Sequence, residues 1–151
     1  MVALHCFVGR AAGLQFENEV GRGRIDRLDI DGNRISFAAF AGDSADADKV
    51  SAGIGVSGVK DVLRIGALSI ASNTVHNALG PCIFSTAVFG PMEASRIADN
   101  TLVDCARSIN LVGAGDVLRS AIIVAVKTSH LSIAGNMIEA SGAVPVALPK
   151  S

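Results

Sequence analysis

Four side chains of the types that transfer protons or bind anions stand close to asparagines in this sequence. They are His76, Arg96, Asp104 and Glu139, and each lies three or four residues from an asparagine. Histidine and carboxylates can pass protons as general acid and base, and arginine can hold an anionic group. We therefore take these four as candidate catalytic residues for binding or cleaving an acidic glycan. The alternative interpretation is a scattered, solvated polar face.

The neighbouring asparagines belong to a repeat of the form apolar-x-Ile-x-x-Asn-x-apolar. The repeat asparagines are Asn33, Asn73, Asn100 and Asn136, spaced 40, 27 and 36 residues apart. Alternation before each asparagine is the period of a strand with one buried face. Small or turn-prone residues directly before it, such as Gly32, favour a bend. Each copy therefore predicts a strand, a sharp bend at asparagine and a second short strand.

A third strand is predicted in the rest of each repeat, at residues 53–58, 81–86, 121–126 and 143–148. Three strands per repeat, each stacked on its equivalent in the next, predict three parallel sheets wound as a solenoid. Loop insertions at 39–50 and 113–120 explain the unequal spacing of the repeats. We expect one domain over residues 1–151, in which 1–24 form a degenerate first turn or an N-terminal cap.

This repeat resembles the right-handed parallel β-helix of the pectate-lyase-like superfamily. The matching segments are Ile30–Ile35, Ile70–Val75, Ile97–Leu102, Ile133–Ile138 and the strand at Gly53–Val56. The resemblance implies an all-β, right-handed parallel β-helix of about five turns with three sheets. It also implies that the four repeat asparagines stack as a structural ladder at one bend. The chemistry agrees, because a short amide can bond backbone groups that a bend leaves unpaired.

Many enzymes of that superfamily carry paired catalytic carboxylates on the outer face of the Gly-Ile-x-Val sheet. The outward positions expected here are Gly55, Ile123 and Pro145, and no aspartate pair appears among them. Paired-carboxylate hydrolysis and calcium-assisted lyase chemistry both need such a pair. The sequence thus favours a non-enzymatic structural, assembly or glycan-binding module, or a fragment of a larger protein. The alternative is a polysaccharide lyase, hydrolase or epimerase that uses the four candidate residues.

Two further patterns are considered for cofactors and metals. Residues 53–58 read Gly-x-Gly-x-x-Gly, but the segment is itself strand-like and opens no helix, unlike a dinucleotide fingerprint. Asp43, Asp46 and Asp48 lack the spacing and the terminal glutamate of a calcium loop, which favours a solvated acidic loop. We therefore expect neither a metal nor a cofactor.

The composition and charge of the chain argue against nucleic acids and membranes as partners. The net charge is −1 and no long basic run occurs, so a nucleic-acid footprint is missing. No apolar run approaches the roughly 20 residues that span a bilayer, and the first residues lack a signal-peptide pattern. We expect no membrane insertion, and the compartment stays undecided. Cys6, Cys82 and Cys105 show no Cys-x-x-Cys spacing and are expected to be buried reduced thiols.

The ends of such a solenoid indicate the kind of partner. Its last turns expose unpaired strand edges and an open core, which favour association. Pro145 and Pro149 remove backbone donors near one end, and Ile123 is expected to add an apolar patch on the outer face. We expect a homo-oligomer or a contact with a neighbouring β-helix domain, with a polysaccharide as a further possible ligand.

Overall fold

The computed structural model describes most of the repeat-bearing part of the chain. The described residues are 4–5, 12–18, 23–36, 52–58, 63–78, 80–86, 92–106, 120–125, 128–139 and 144–148. Within these ranges the protein is all-β, without a helix. Accordingly, no helix long and apolar enough to cross a membrane is found in the described part.

Short strands separated by bends account for the described ranges, as the alternating apolar pattern predicts. In chain order they are β1 Leu4–His5, β2 Ala12–Asn18, β3 Gly23–Asp31, β4 Arg34–Ser36, β5 Ala52–Gly58, β6 Leu63–Ala71, β7 Thr74–His76, β8 Ile83–Thr86, β9 Met92–Ala98, β10 Thr101–Val103, β11 Ser120–Ala125, β12 Thr128–Ala134, β13 Met137–Glu139 and β14 Val144–Ala147. The third strand predicted in each repeat is thus present as β5, β8, β11 and β14.

The strands form three sheets that the chain visits in turn. Sheet I has the order β1-β2-β5-β8-β11-β14, sheet II the order β12-β9-β6-β3, and sheet III the order β13-β10-β7-β4. All neighbours pair in parallel except β1, which is antiparallel to β2. We call one strand from each sheet, taken in chain order, a rung. The rungs are β2–β3–β4, β5–β6–β7, β8–β9–β10 and β11–β12–β13, an arrangement consistent with a parallel β-helix.

Equivalent residues of successive rungs lie in register, and their inward side chains form the core. On sheet II, Ile30, Ile70, Ile97 and Ile133 follow one another as direct partners. The middle two are fully buried, and all four belong to the apolar cluster or pack against it. Burying one such isoleucine stabilises the fold by about 1.5–3 kcal/mol. The isoleucine of the repeat therefore provides the inner layer of sheet II, facing the core.

The outer row of sheet I differs from the sequence expectation. Gly55, Phe84, Ile123 and Ala147 align across the sheet, on the face away from the core. Ile123 was expected to be an exposed apolar residue there, but it is only 2% exposed. That expectation was wrong, because alternation tells which face a side chain points to and not whether that face is covered.

The expected boundaries can be compared with the described ranges. The described strands form four complete rungs, and among them β14 adds a further strand to sheet I. Residues 12–18 lie within the expected first turn or cap and form β2, which pairs in parallel with β5. The loop expected at 39–50 lies outside the described residues, as do 113–119, and Ser120 is the first residue of β11.

Candidate functional site

Every repeat asparagine follows a residue with a left-handed backbone. The φ angles are 69° at Gly32, 57° at Ser72, 58° at Asp99 and 66° at Gly135. Glycine adopts this conformation without strain, and short polar residues tolerate it better than most. The turn it produces directs the chain from sheet II to sheet III and aims the asparagine side chain inward. The small or turn-prone residues before each asparagine therefore fix the corner that positions the ladder.

The asparagines form a continuous hydrogen-bonded chain along that corner. Asn33 Nδ2 donates to Asn73 Oδ1 at 3.0 Å, Asn73 Nδ2 to Asn100 Oδ1 at 3.0 Å, and Asn100 Nδ2 to Asn136 Oδ1 at 2.8 Å. Each of these oxygens also accepts the backbone N–H of the preceding asparagine, at 2.9, 2.9 and 3.0 Å. We call this chain the asparagine ladder.

The same amides also bond to the backbone of the rung before. Asn73 Nδ2 donates to the carbonyl of Ile30, and the equivalent bonds of the next two asparagines go to the carbonyls of Ile70 and Ile97. Asn73 and Asn100 are 1% exposed. Their polar atoms are paired within the protein, as most buried polar groups are. Binding a ligand through them would require breaking the ladder.

Three of the four candidate catalytic residues lie on the two sides of this corner. His76 ends β7 and Glu139 ends β13, and both are direct partners of Val103 in sheet III. Two strand spacings, roughly 10 Å, therefore separate their backbones. His76 is half-buried and Glu139 is exposed. One column of sheet III thus holds the histidine and this carboxylate on alternate rungs, with an apolar residue between them.

Arg96 lies on sheet II and has its own partner. Its Nη2 is 3.0 Å from Asp99 Oδ2, and both side chains are more than half exposed. No hydrogen bond or ion pair joins Arg96, His76 and Glu139 to one another. Among these three described side chains, the structure shows no connected catalytic group.

Asp104 occupies a second corner, after β10. Its φ is 55°, and its backbone N–H donates to the carbonyl of Glu139 at 3.0 Å. Asn77 has the same role one rung earlier, with φ 57° and a bond from its N–H to the carbonyl of Val103. Both bends need a residue that tolerates a left-handed backbone, which explains the asparagine at one position and the aspartate at the other.

An exposed ion pair on β3 was not found by the sequence analysis. Arg27 Nε donates to both carboxylate oxygens of Asp29, at 2.9 and 2.8 Å. The hydrogen bond to Asp29, and then its negative charge, raise the pKa of Arg27 above its ordinary value. Alternation could have placed the two residues on one face, since they are two apart on a strand. Such an exposed pair contributes little to stability.

The cysteines contradict the expectation of reduced thiols. Cys82 and Cys105 are joined by a disulfide with a Cα–Cα distance of 5.3 Å, and both residues are buried. One cysteine precedes β8 and the other follows β10, so the bond links the two ends of the third rung. Their separation of 23 residues is close to the shortest spacing of the repeat, and this similarity was the available signal. Cys6 lies outside the described residues.

Two buried serines carry hydroxyl groups of the type that can act as nucleophiles. The hydroxyls of Ser85 and Ser95 are buried without a hydrogen-bond partner. Ser85 aligns with Val56 and Val124, and Ser95 with Leu68 and Leu131. Both serines therefore lie in apolar rows of the core, where a catalytic base has no place beside them. In the described ranges, no cluster of three or more histidine, cysteine or acidic residues could hold a metal ion, and Asp43, Asp46 and Asp48 lie outside those ranges.

Comparison with known proteins gives no relative for this arrangement. No family model matches the chain, and no curated protein or solved structure matches it significantly. The class of protein is therefore set by the observed architecture alone: the described residues are all-β, and their three sheets of parallel strands fit a β-helix-like solenoid.

Proposed function

We propose that this chain is a non-enzymatic, right-handed parallel β-helix of about five turns that serves as a structural and assembly module. The pectate-lyase-like repeat pattern supports this architecture, and one right-handed turn per rung is the usual connection between parallel strands. The observation that carries the proposal is the use of the repeat's polar groups. The amides of Asn73 and Asn100 are buried and fully engaged between rungs, which is a role in stability and not in chemistry.

The partners that fit this function are a neighbouring β-helix domain, another copy of the chain or a polysaccharide. Among the described strands, the outermost ones of sheets II and III have no partner on one side, and such parallel edges offer donors and acceptors for a further strand. A polysaccharide would instead lie along the outer polar columns. Tyrosine and tryptophan, the usual aromatic platforms for sugars, do not occur in the sequence. Contact through the ends of the solenoid is therefore the better supported mode.

A second candidate function is that of a polysaccharide-active lyase, hydrolase or epimerase. The observation favouring it is that His76 and Glu139 share one column of sheet III. In the sequence, Arg96 and Asp104 stand four residues before and four residues after Asn100. Histidine would act as the base, Glu139 or Asp104 as the acid, and Arg96 would bind an acidic sugar. The ion pair of Arg96 with Asp99 would have to open for that role.

A turnover assay separates the two functions. We would incubate the protein with a panel of acidic polysaccharides and follow new reducing ends and unsaturated products. The proposed function predicts no turnover above that of a heat-denatured sample. The matched variants are His76→Ala and Ser36→Ala, because the two residues are direct partners in one column. Turnover that is lost in His76→Ala and kept in Ser36→Ala would establish the enzyme instead.

A further inference from the structure

The third rung, β8–β9–β10, buries two hydroxyl groups that have no partner. Among the described residues, the Oγ atoms of Ser85 and Ser95 are the buried side-chain polar atoms that make no hydrogen bond. In the same inward rows the neighbouring rungs carry valine beside Ser85 and leucine beside Ser95. A buried hydroxyl without a partner costs free energy, and serine makes fewer apolar contacts than valine or leucine. Both serines therefore weaken the core of this one rung.

A further cost lies at the end of the same rung. Ala106 has a left-handed backbone, with a φ of 54°, and is buried. The other described residues with positive φ are glycine, serine, asparagine or aspartate, which adopt this conformation with less strain. The N–H of Ala106 donates to the carbonyl of Gly80 at 2.7 Å, which ties the chain after β10 to the chain before β8. The third rung thus closes through a bond made by a strained alanine.

The disulfide joins the same two points of the chain. Cys82 lies two residues after Gly80, and Cys105 directly precedes Ala106. A disulfide stabilises a fold mainly by restricting the unfolded chain. The bond therefore offsets the two buried hydroxyls and the strained alanine on the rung where these costs arise.

Both cysteines are closed off from solvent in the folded protein. Cys82 and Cys105 are 0% and 1% exposed and belong to the apolar cluster of the core. Thiol–disulfide exchange needs a thiolate to attack a sulfur atom, so access to the sulfur limits it. While the third rung is closed, neither an oxidant nor a reductant reaches this pair. The bond must form before the rung closes, and the closed rung then protects it.

We propose that the third rung is redox-conditional, meaning that it holds only after oxidation has joined Cys82 to Cys105 during folding. The reaction is exchange with a donor disulfide. One cysteine thiolate attacks the donor, which releases one donor thiol and leaves a mixed disulfide. The second cysteine thiolate attacks the protein sulfur of that mixed disulfide and releases the second donor thiol. The donor gains the two electrons that the cysteines lose, and their two protons end on the donor dithiol.

The class of reaction that supplies this bond indicates where the protein folds. Disulfides form and persist in oxidising compartments, whereas glutathione and thioredoxin keep cytosolic thiols reduced. A chain whose third rung depends on a buried disulfide therefore belongs in an oxidising compartment outside the cytosol. This inference goes beyond the proposed function, because a structural module and an enzyme would need the third rung equally.

The first test compares amide hydrogen exchange of the oxidised protein and of protein that is reduced in denaturant and refolded with reductant. Reduction keeps every side chain, so it separates the bond from the packing of the sulfur atoms. We expect exchange at Ile97 and Leu102 in the third rung to accelerate at least about tenfold more than exchange at Ile70 and Val75 in the second. The same acceleration on both rungs, or none on either, would overturn the inference.

Rescue variants keep the test decisive if the reduced protein does not refold. Ser85→Ala and Ser95→Ala remove the unpaired hydroxyls, and Ala106→Gly removes the backbone strain. Reduced protein with all three changes should refold and regain slow exchange in the third rung. The control combines Ser69→Ala and Ser132→Ala, which lie in one outer row of sheet II, and should rescue nothing. Equal behaviour of the triple variant and the control would contradict the account of what the bond offsets.

The compartment is tested in the cells that produce the protein. Acid quenching and alkylation of the denatured, unreduced chain count its free thiols, and fractionation of the cells locates it. We expect the protein outside the cytosol, with no more than one of its three cysteines free. Recovery from the cytosol, or more than one free thiol per chain in any fraction, would overturn the inference.

Discussion

At the scale of single residues, one amide of the ladder serves several partners. The side chain of Asn100 accepts from the backbone N–H and Nδ2 of Asn73 and donates to the carbonyl of Ile70 and to Asn136 Oδ1. Asn33 stands at the end of the same ladder and is half-buried, and its side chain donates to Asp31 and Asn73 but accepts from no other described residue. Position in the ladder should therefore decide what an asparagine contributes to stability.

We predict that Asn100→Ala lowers the free energy of unfolding by about 3 kcal/mol, because several buried groups lose a partner at once. Asn33→Ala should cost about 1 kcal/mol, because the groups it leaves are accessible to water. Urea denaturation followed by circular dichroism would measure both. Equal, small losses for the two variants would mean that the ladder does not hold the rungs together.

At the scale of elements, glycine sets how closely a strand approaches its neighbours. A Cβ on Gly53 in β5 would lie 2.6 Å from the carbonyl oxygen of Cys82 and would also collide with the side chain of Val75. A Cβ on Gly32 would meet nothing within 4 Å, although φ there is +69°. The Gly-x-Gly-x-x-Gly pattern of residues 53–58 thus includes a glycine required for packing.

We predict that Gly53→Ala destabilises the protein by about 2–3 kcal/mol, since backbone must move to make room. The control is Gly32→Asn, which should change stability by less than about 0.5 kcal/mol, because asparagine tolerates a left-handed backbone. Ser72 and Asp99 already occupy the equivalent corners. Thermal and urea unfolding would compare the variants. A Gly53→Ala protein as stable as the parent would contradict the close approach of β5 to the chain at Cys82.

The disulfide acts on the third rung as a unit. Cys82 and Cys105 are 23 positions apart in the sequence. Closing a loop of that size lowers the entropy of the unfolded state, which stabilises the folded protein by about 3 kcal/mol. We predict that reduction of the disulfide lowers the urea midpoint of unfolding accordingly. The variant Cys6→Ser, which keeps the pair, should respond to reductant in the same way.

Thiol titration of the unreduced, denatured protein should find one free thiol per chain. Three free thiols would show that the bond does not form.

At the scale of the whole molecule, the sequence predicts the arrangement of the strands in sheets better than it predicts which surfaces are covered and which cysteines meet. The spacing of isoleucine and asparagine predicted three parallel sheets, because each copy needs the same buried face and the same corner. It did not predict that Ile123 is buried, since periodicity carries no information about what covers a face. Nor did it predict the disulfide, because facing cysteines depend on how many residues complete one rung.

The candidate site was less predictable than the fold for a related reason. Counting from the asparagines placed His76 and Glu139 correctly in one column of sheet III. The same counting could not tell that Arg96 turns to Asp99, because that contact depends on side-chain conformations at the corner. Short-range pairing of charged residues is set locally, whereas the repeat encodes only the positions of the backbone.

Hydrogen exchange of the asparagine side-chain amides shows most directly whether these buried residues link the rungs. We would follow the Nδ2 hydrogens of all four ladder residues by nuclear magnetic resonance in the native protein. We predict slow exchange at Asn73 and Asn100, which are bonded on both sides and buried, and faster exchange at the two ends, Asn33 and Asn136. Equally fast exchange at all four positions would contradict the ladder.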